Sequence, residues 1–323
     1  MKGAGALRLG VFSTAPEPLS VATEVLTRPD AKYLTMDEPR VLLTNDDGID
    51  APGLASCYEE LTAIADVTVV APMENQSGVG RTRSHRTTVD AHPWGYALDG
   101  TPADCVAYGL RGLDGSFDLV VSGCNHGPNA GNYVVGRSGT VGACVEAGFL
   151  GVPGIAVSAY HCEDFFVSPA AEYDFDRPAR VASELVVRAL SGDTFESADL
   201  LNLNVPVDAA DPEMVLTEPH HDYDLLVEHE VEGAPDEQSN LGTEGDIALR
   251  DVVWPDTAGW ENPFASDADL AEHYPAGSDR HALVDGNISV SPLTAPAVGV
   301  RSAELGTMVS AFNGSEAVRE RNR

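Results

Sequence analysis

The chain is nearly without lysine. Only Lys2 and Lys32 occur among 323 residues, both before Met36, and all later fixed positive charge is arginine. Lys and Arg together number 19 against 51 Asp and Glu, a formal charge of −32. So little positive charge provides no basic surface to hold a polyanion, which excludes nucleic-acid polymers as partners. Long apolar runs are missing as well. None approaches the roughly 18 residues that span a bilayer, and the N-terminal apolar stretch is broken by Arg8 and Pro16. The expectation is a cytoplasmic protein with no membrane partner. Cysteine is scarce: Cys57, Cys105, Cys124, Cys144 and Cys162 lack paired metal-type spacing and read as reduced, mostly buried residues rather than nucleophiles.

What the chain does have is acid and enough apolar side chain, 43% of residues, for a substantial core. Abundant carboxylates with almost no lysine are the composition of an extreme halophile. In molar salt the Debye length is about 3 Å or less, so surface carboxylates repel little and still hold water. The charge is therefore a solvent adaptation rather than a functional patch. Residues 1–35 are close to neutral and the composition changes abruptly at Met36. They read as a non-native or disordered extension, with Met36 as the expected natural start.

From Arg40 onward, short apolar runs alternate with amphipathic ones. Strands are expected over Val41–Thr44, Val67–Ala71, Asp118–Ser122, Gly154–Ser158 and Leu200–Val205, with helices over 52–64, 102–112, 139–150 and 178–191. Such alternation implies a Rossmann-like, doubly wound, mostly parallel sheet in a three-layer α/β/α core over 36–205. Residues 206–323 form an acidic, β-rich C-terminal excursion, irregular to about residue 280. A strand follows near Asn287–Ser291, then a terminal helix over Ala303–Phe312.

Ligands of open α/β sheets bind beyond the carboxyl ends of strands. Three loops there carry polar residues: Asn45-Asp46-Asp47-Gly48, Asn75-Gln76-Ser77-Gly78, and Gly123-Cys124-Asn125-His126-Gly127-Pro128-Asn129. Two carboxylates, a hydroxyl and an amide suit a hard cation such as Mg²⁺ or Mn²⁺. By itself, Asn-Asp-Asp-Gly is equally an Asx-capped turn. Ser138-Gly139-Thr140 stands at a helix N-terminus, where backbone N–H groups favour phosphate, and equally reads as an N-cap. Thr101-Pro102-Ala103-Asp104 reads as a capping box. His220, His221 and His229 read as solvated loop residues.

Together, Val41–Ile49, Ala51-Pro52-Gly53, Val69–Pro72 through Ser77-Gly78, Gly100–Val106 and Asp118–Asn129 through Ser138–Val141 resemble the SurE family of stationary-phase survival proteins. Asn287–Leu293 resembles the family's closing strand. The resemblance implies a 5′-nucleotidase that hydrolyses nucleoside 5′- and 3′-monophosphates with one divalent ion per subunit and metal-activated water. Carried over by residue, the metal ligands are Asp46, Asp47, Ser77 and Asn125, with Asp46, Asp47 and Asn125 catalytic and Asn45, Asn129, Ser138, Gly139 and Thr140 binding phosphate. It also implies a homodimer or homotetramer that exchanges C-terminal segments. The chain departs from the family at His126, read as a positioning or structural residue, and at Gly136-Arg137, where Arg137 reads equally as a phosphate contact or a surface residue.

Two rivals are weighed. An aspartyl-phosphate mechanism needs a second Asp two positions after Asp46, and position 48 is Gly. A non-catalytic nucleotide- or metal-binding regulator on the same crevice is the alternative from another class.

Overall fold

The computed structural model describes residues 38–163, 169–230, 246–253, 273–295 and 302–314. The extension expected over 1–35 lies outside them. Strand β1 (Arg40–Thr44) has Val41, Leu42 and Leu43 all fully buried. A strand buried on both faces belongs inside a layered sheet, covered by helices on each side. Val41 and Leu43 join a cluster with Leu54 and Cys57 of α1 (Pro52–Leu61) and Ala182 and Val186 of α5 (Asp176–Leu190). Leu42 faces the opposite side, with Cys105 and Val106 of α2 (Pro102–Gly112) and Ala143 and Ala147 of α4 (Gly139–Phe149). The strand's period-2 alternation thus feeds two cores, and the three-layer α/β/α expectation holds.

The sheet has nine strands. β1 lies between β2 (Asp66–Pro72) and β5 (Leu119–His126), both parallel to it. β6 (Gly154–Tyr160) and β7 (Leu200–Pro206) continue the parallel run. The other edge carries β4 (Gly95–Leu98), parallel to β2, and β3 (Val89–His92), antiparallel to β4. This edge hairpin is absent from the sequence-based expectation, because Asp90-Ala91-His92-Pro93 reads as loop. Beyond β7 come β11 (Ile288–Leu293), antiparallel, and the short β8 (Met214–Leu216). The full order is β3-β4-β2-β1-β5-β6-β7-β11-β8. The chain leaves β1 toward β2 on one side and returns to β5 on the other, so the crevice between the β1 and β5 ends is the topological switch point.

The acidic excursion is more ordered than its composition suggests. It contributes β8, an antiparallel hairpin of β9 (Asp224–Glu230) and β10 (Asp246–Val252), and α6 (Asp279–Val284). Helices α3 (Asn132–Arg137) and α7 (Ala303–Gly314) complete the elements used below. Among the described residues no helix is long and apolar enough to cross a membrane.

Candidate active site

Leaving β1, the chain turns at once. Asn45 donates through Nδ2 to the Gly48 carbonyl at 2.8 Å, and Gly48 N–H returns to Asn45 Oδ1 at 3.3 Å. Gly48 sits at φ 110°, a conformation other residues rarely adopt. This closed turn lets two adjacent carboxylates both reach the crevice, which a regular strand would forbid.

Asp46 is 3% exposed. Its Oδ1 accepts from the Thr140 hydroxyl at 2.6 Å, and the N–H groups of Gly139 and Thr140 at the start of α4 also point at the carboxylate. Burial raises its pKa, and these donors only partly oppose that. A Cβ on Gly139 would stand 2.8 Å from both Cβ and Oδ2 of Asp46, so only glycine lets helix and carboxylate approach this closely. Asp47 turns the other way. It accepts from the His126 N–H at 3.1 Å and from Asn75 Nδ2 at 3.2 Å. Burial first, and then repulsion from Asp46, push its carboxyl up to about 7.

The β2 loop reaches the same turn, because Gln76 N–H donates to the Asp46 carbonyl at 2.6 Å. Ser77 is exposed there, its N–H held by Asn75 Oδ1 at 2.9 Å. The same loop is fastened to α4 by Arg81 and Arg83, which bind the buried Glu146 at 2.7 and 3.1 Å. Asn125 ends β5 after a register shift between Ser122 and Asn125 and a cis Gly123–Cys124 peptide. Its amide nitrogen donates to the Gly127 carbonyl at 2.6 Å. Gly53, in the first turn of α1, packs on the Cys124 carbonyl so tightly that a Cβ would come within 2.1 Å of it.

Several residues expected at phosphate are engaged elsewhere. The Thr140 hydroxyl is given to Asp46, and the Asn45 side chain closes its own turn. Asn129 is a strut. Its N–H meets Asn204 Oδ1 at 2.7 Å, its Nδ2 meets Ser158 Oγ at 2.9 Å, and its carbonyl accepts from Asn202 and Asn204. Ser138 is the N-cap of α4, accepting from Val141 N–H at 3.1 Å. The backbone N–H groups of Gly139 and Thr140 at the α4 start likewise point at the Asp46 carboxylate. Arg137 is exposed and lies over the Tyr133 ring, 5.3 Å from its centroid. The His126 ring packs edge-on against Tyr173, with centroids 4.6 Å apart. His220, expected in a solvated loop, instead has a side chain only 9% exposed and sits edge-on to Tyr274.

Sequence reasoning missed the supports behind the site. Ser158, Asn202 and Asn204 are fully buried polar residues on β6 and β7. The signal was the pair Asn202 and Asn204 at i and i+2 inside an otherwise apolar strand. Asp279, also fully buried, accepts from Gly131 N–H at 2.6 Å and from His220 N–H at 2.9 Å, holding the far end of the Asn125–Asn129 loop.

Among the described residues no group of three or more His, Cys, Asp and Glu could hold a metal. The donor set expected there is different in kind: two carboxylates with a hydroxyl and an amide oxygen, which would suit a hard divalent ion. No arginine or histidine among the described residues is ion-paired to Asp46 or Asp47, so nothing described offsets their crowding. A bound cation would do so. The cysteines are not rivals as nucleophiles: Cys57 lies buried behind β5, its thiol pushed up to about 12.

Comparison with known proteins meets the same elements. A family model described as "Survival protein SurE" matches residues 41–223. Proteins named 5′-nucleotidase SurE from Halobacterium salinarum and Haloarcula marismortui are 46% and 44% identical over 262 and 266 residues, covering 80% and 81% of this chain and 93% and 90% of theirs. The crystal structure of the SurE protein from Aquifex aeolicus superposes with a TM-score of 0.64 at 27% identity, covering 85% of this chain and 100% of that one. With the family match running from β1 through the candidate site and the relatives extending it over most of the chain, this protein belongs to the SurE family.

Proposed function

We propose that the chain is a divalent-metal-dependent phosphomonoesterase that releases phosphate from nucleoside 5′- and 3′-monophosphates. The observation that carries this is the adjacent pair at the switch point, Asp46 buried against the N-terminus of α4 and Asp47 half-buried against His126 N–H and Asn75, with no cationic partner for either among the described residues. The curated relatives' name, 5′-nucleotidase, supports the activity.

Asp46, Asp47, Ser77 and Asn125 would hold the ion, Mg²⁺ or Mn²⁺; bound there, it supplies a Lewis acid and a water of lowered pKa, the nucleophile this hydrolysis needs. Thr140 and the α4 N–H groups fix the Asp46 carboxylate, while His126 N–H and Asn75 fix that of Asp47. The dipole of α4 favours negative charge on the phosphoryl oxygens at the turn after Ser138. Asn45 and Asn129 act chiefly by shaping the two loops. A homodimer or homotetramer is the expected assembly. Supporting it are Leu226, Val227, Ile247 and Leu249 on the β9–β10 hairpin and Met308 and Val309 on α7, all exposed in the single chain.

The test is phosphate release from a panel of nucleoside monophosphates in molar salt, titrated with Mg²⁺ and Mn²⁺. Metal-dependent turnover supports the proposal. Nucleotide binding without turnover at any metal concentration would instead favour a regulatory protein.

A further inference from the structure

Just before the Ser138 turn stands an aromatic stack with no part in the chemistry above. The rings of Tyr133, on α3, and Tyr223, just ahead of β9, lie parallel, with centroids 3.5 Å apart and an interplanar angle of 12°. Both hydroxyls donate to one oxygen, Oδ1 of Asp251 on β10, at 2.9 and 2.7 Å. The guanidinium of Arg137 lies over the Tyr133 ring. Tyr133 is thus fixed by a hydroxyl bond and two ring neighbours, whereas Tyr223 has one face covered and is 37% exposed.

We propose that this pair is the platform for the nucleobase, with the base stacking on the open face of Tyr223 while its phosphate occupies the turn after Ser138. This rests on the nucleotidase reading above and deepens it by naming the residues that bind the base. Spacing is the first argument. Tyr133 precedes Ser138 by five residues of nearly continuous helix, Ser138 N–H donating to the Val134 carbonyl at 2.9 Å. Five residues amount to about 7.5 Å of helical rise, which sets Tyr133, and the Tyr223 ring stacked on it, close before the turn. Rigidity is the second. A ring anchored at its hydroxyl loses little freedom when a base lands on it, so the stacking energy is retained as affinity. Chemistry is the third. Every base has a π-face, so stacking itself tolerates purines and pyrimidines alike. In a chain of charge −32 an uncharged aromatic surface also holds a base in molar salt, where long-range attraction is screened.

The test compares AMP with ribose 5-phosphate, which has the same phosphoester and no base, using the full chain in molar salt with Mn²⁺. For Tyr223→Ala the expected result is a KM for AMP raised roughly tenfold, within the range a lost base–aromatic stack supplies, with kcat/KM for ribose 5-phosphate kept. Tyr223→Phe and Tyr223→Trp should restore the low KM for AMP, which a purely structural role of the Asp251 hydrogen bond would not allow for phenylalanine. An equal loss on both substrates in Tyr223→Ala, or no loss on either, overturns the platform while leaving the nucleotidase reading intact. No turnover of either substrate by the wild-type chain overturns both.

Discussion

Thr140 gives its hydroxyl proton to Asp46 across 2.6 Å, joining the start of α4 to the turn after β1. The bond reaches over 94 residues of sequence and is buried. It fixes the orientation of a carboxylate whose burial otherwise favours its protonated form. Thr140→Val keeps the shape and removes the donor. The expected cost is about 1–3 kcal/mol of stability and a fall on the order of 10–100-fold in metal affinity or activity, the usual effect of removing a group that orients a ligand. Chemical denaturation together with metal titration separates the two.

Asp46→Asn should abolish phosphate release while leaving the fold intact. In thermal melts, millimolar Mn²⁺ should raise the Tm of the wild-type chain, because an ion that binds only the folded state stabilises it, and leave that of Asp46→Asn unchanged. Chelation should halt wild-type turnover and added metal restore it. A variant with full activity in saturating metal would remove Asp46 from the ligand set.

Gly53→Ala brings a methyl group within 2.1 Å of the Cys124 carbonyl, main chain that cannot swing aside. Overpacking of this kind costs about 1–3 kcal/mol or more. The same contact supports the β5 end that carries Asn125, so activity should fall further than the lost stability explains. The measurement is specific activity at a temperature where circular dichroism shows the variant fully folded.

The acid limb of stability should depend on Asp104. Burial tends to raise its carboxyl, but the N–H groups of Thr101 and Ser84 outweigh that and hold it below the ordinary 3.8. A lowered folded pKa means stabilisation present above the unfolded value and lost as pH falls through the folded one. Asp104→Asn should therefore lower Tm at neutral pH and flatten its decline below about pH 4, read from melts across that range.

Local signals were the most legible in the sequence. Helix α2 runs over Pro102–Gly112 as expected, because Thr101 and Asp104 form a complete capping box and Pro102 takes the first turn. The β1 strand and the Asp46-Asp47 turn were legible for the same reason, since apolar run, turn and glycine are adjacent. The hairpin β3–β4 was not, because His92-Pro93 interrupts its pattern and only pairing with β2 makes it a strand. The struts Asn202, Asn204 and Asp279 escaped for a different reason. Each looks like an ordinary polar residue until the fold sets it against a partner 73, 75 or 148 residues away.

That last distance bears on synthesis. Gly131, in the loop leading to the Ser138 turn, is held by Asp279, which the ribosome adds 148 residues later. At a synthesis rate of about 5–20 residues per second the interval is roughly 7–30 s, during which β1 and β5 are already present and α4 soon follows, but the loop between β5 and α4 lacks its rear support. For a little under half of the synthesis of these 323 residues, therefore, the loop exists without the bond that braces it, and its final geometry depends on a segment made well after the Rossmann-like half is complete.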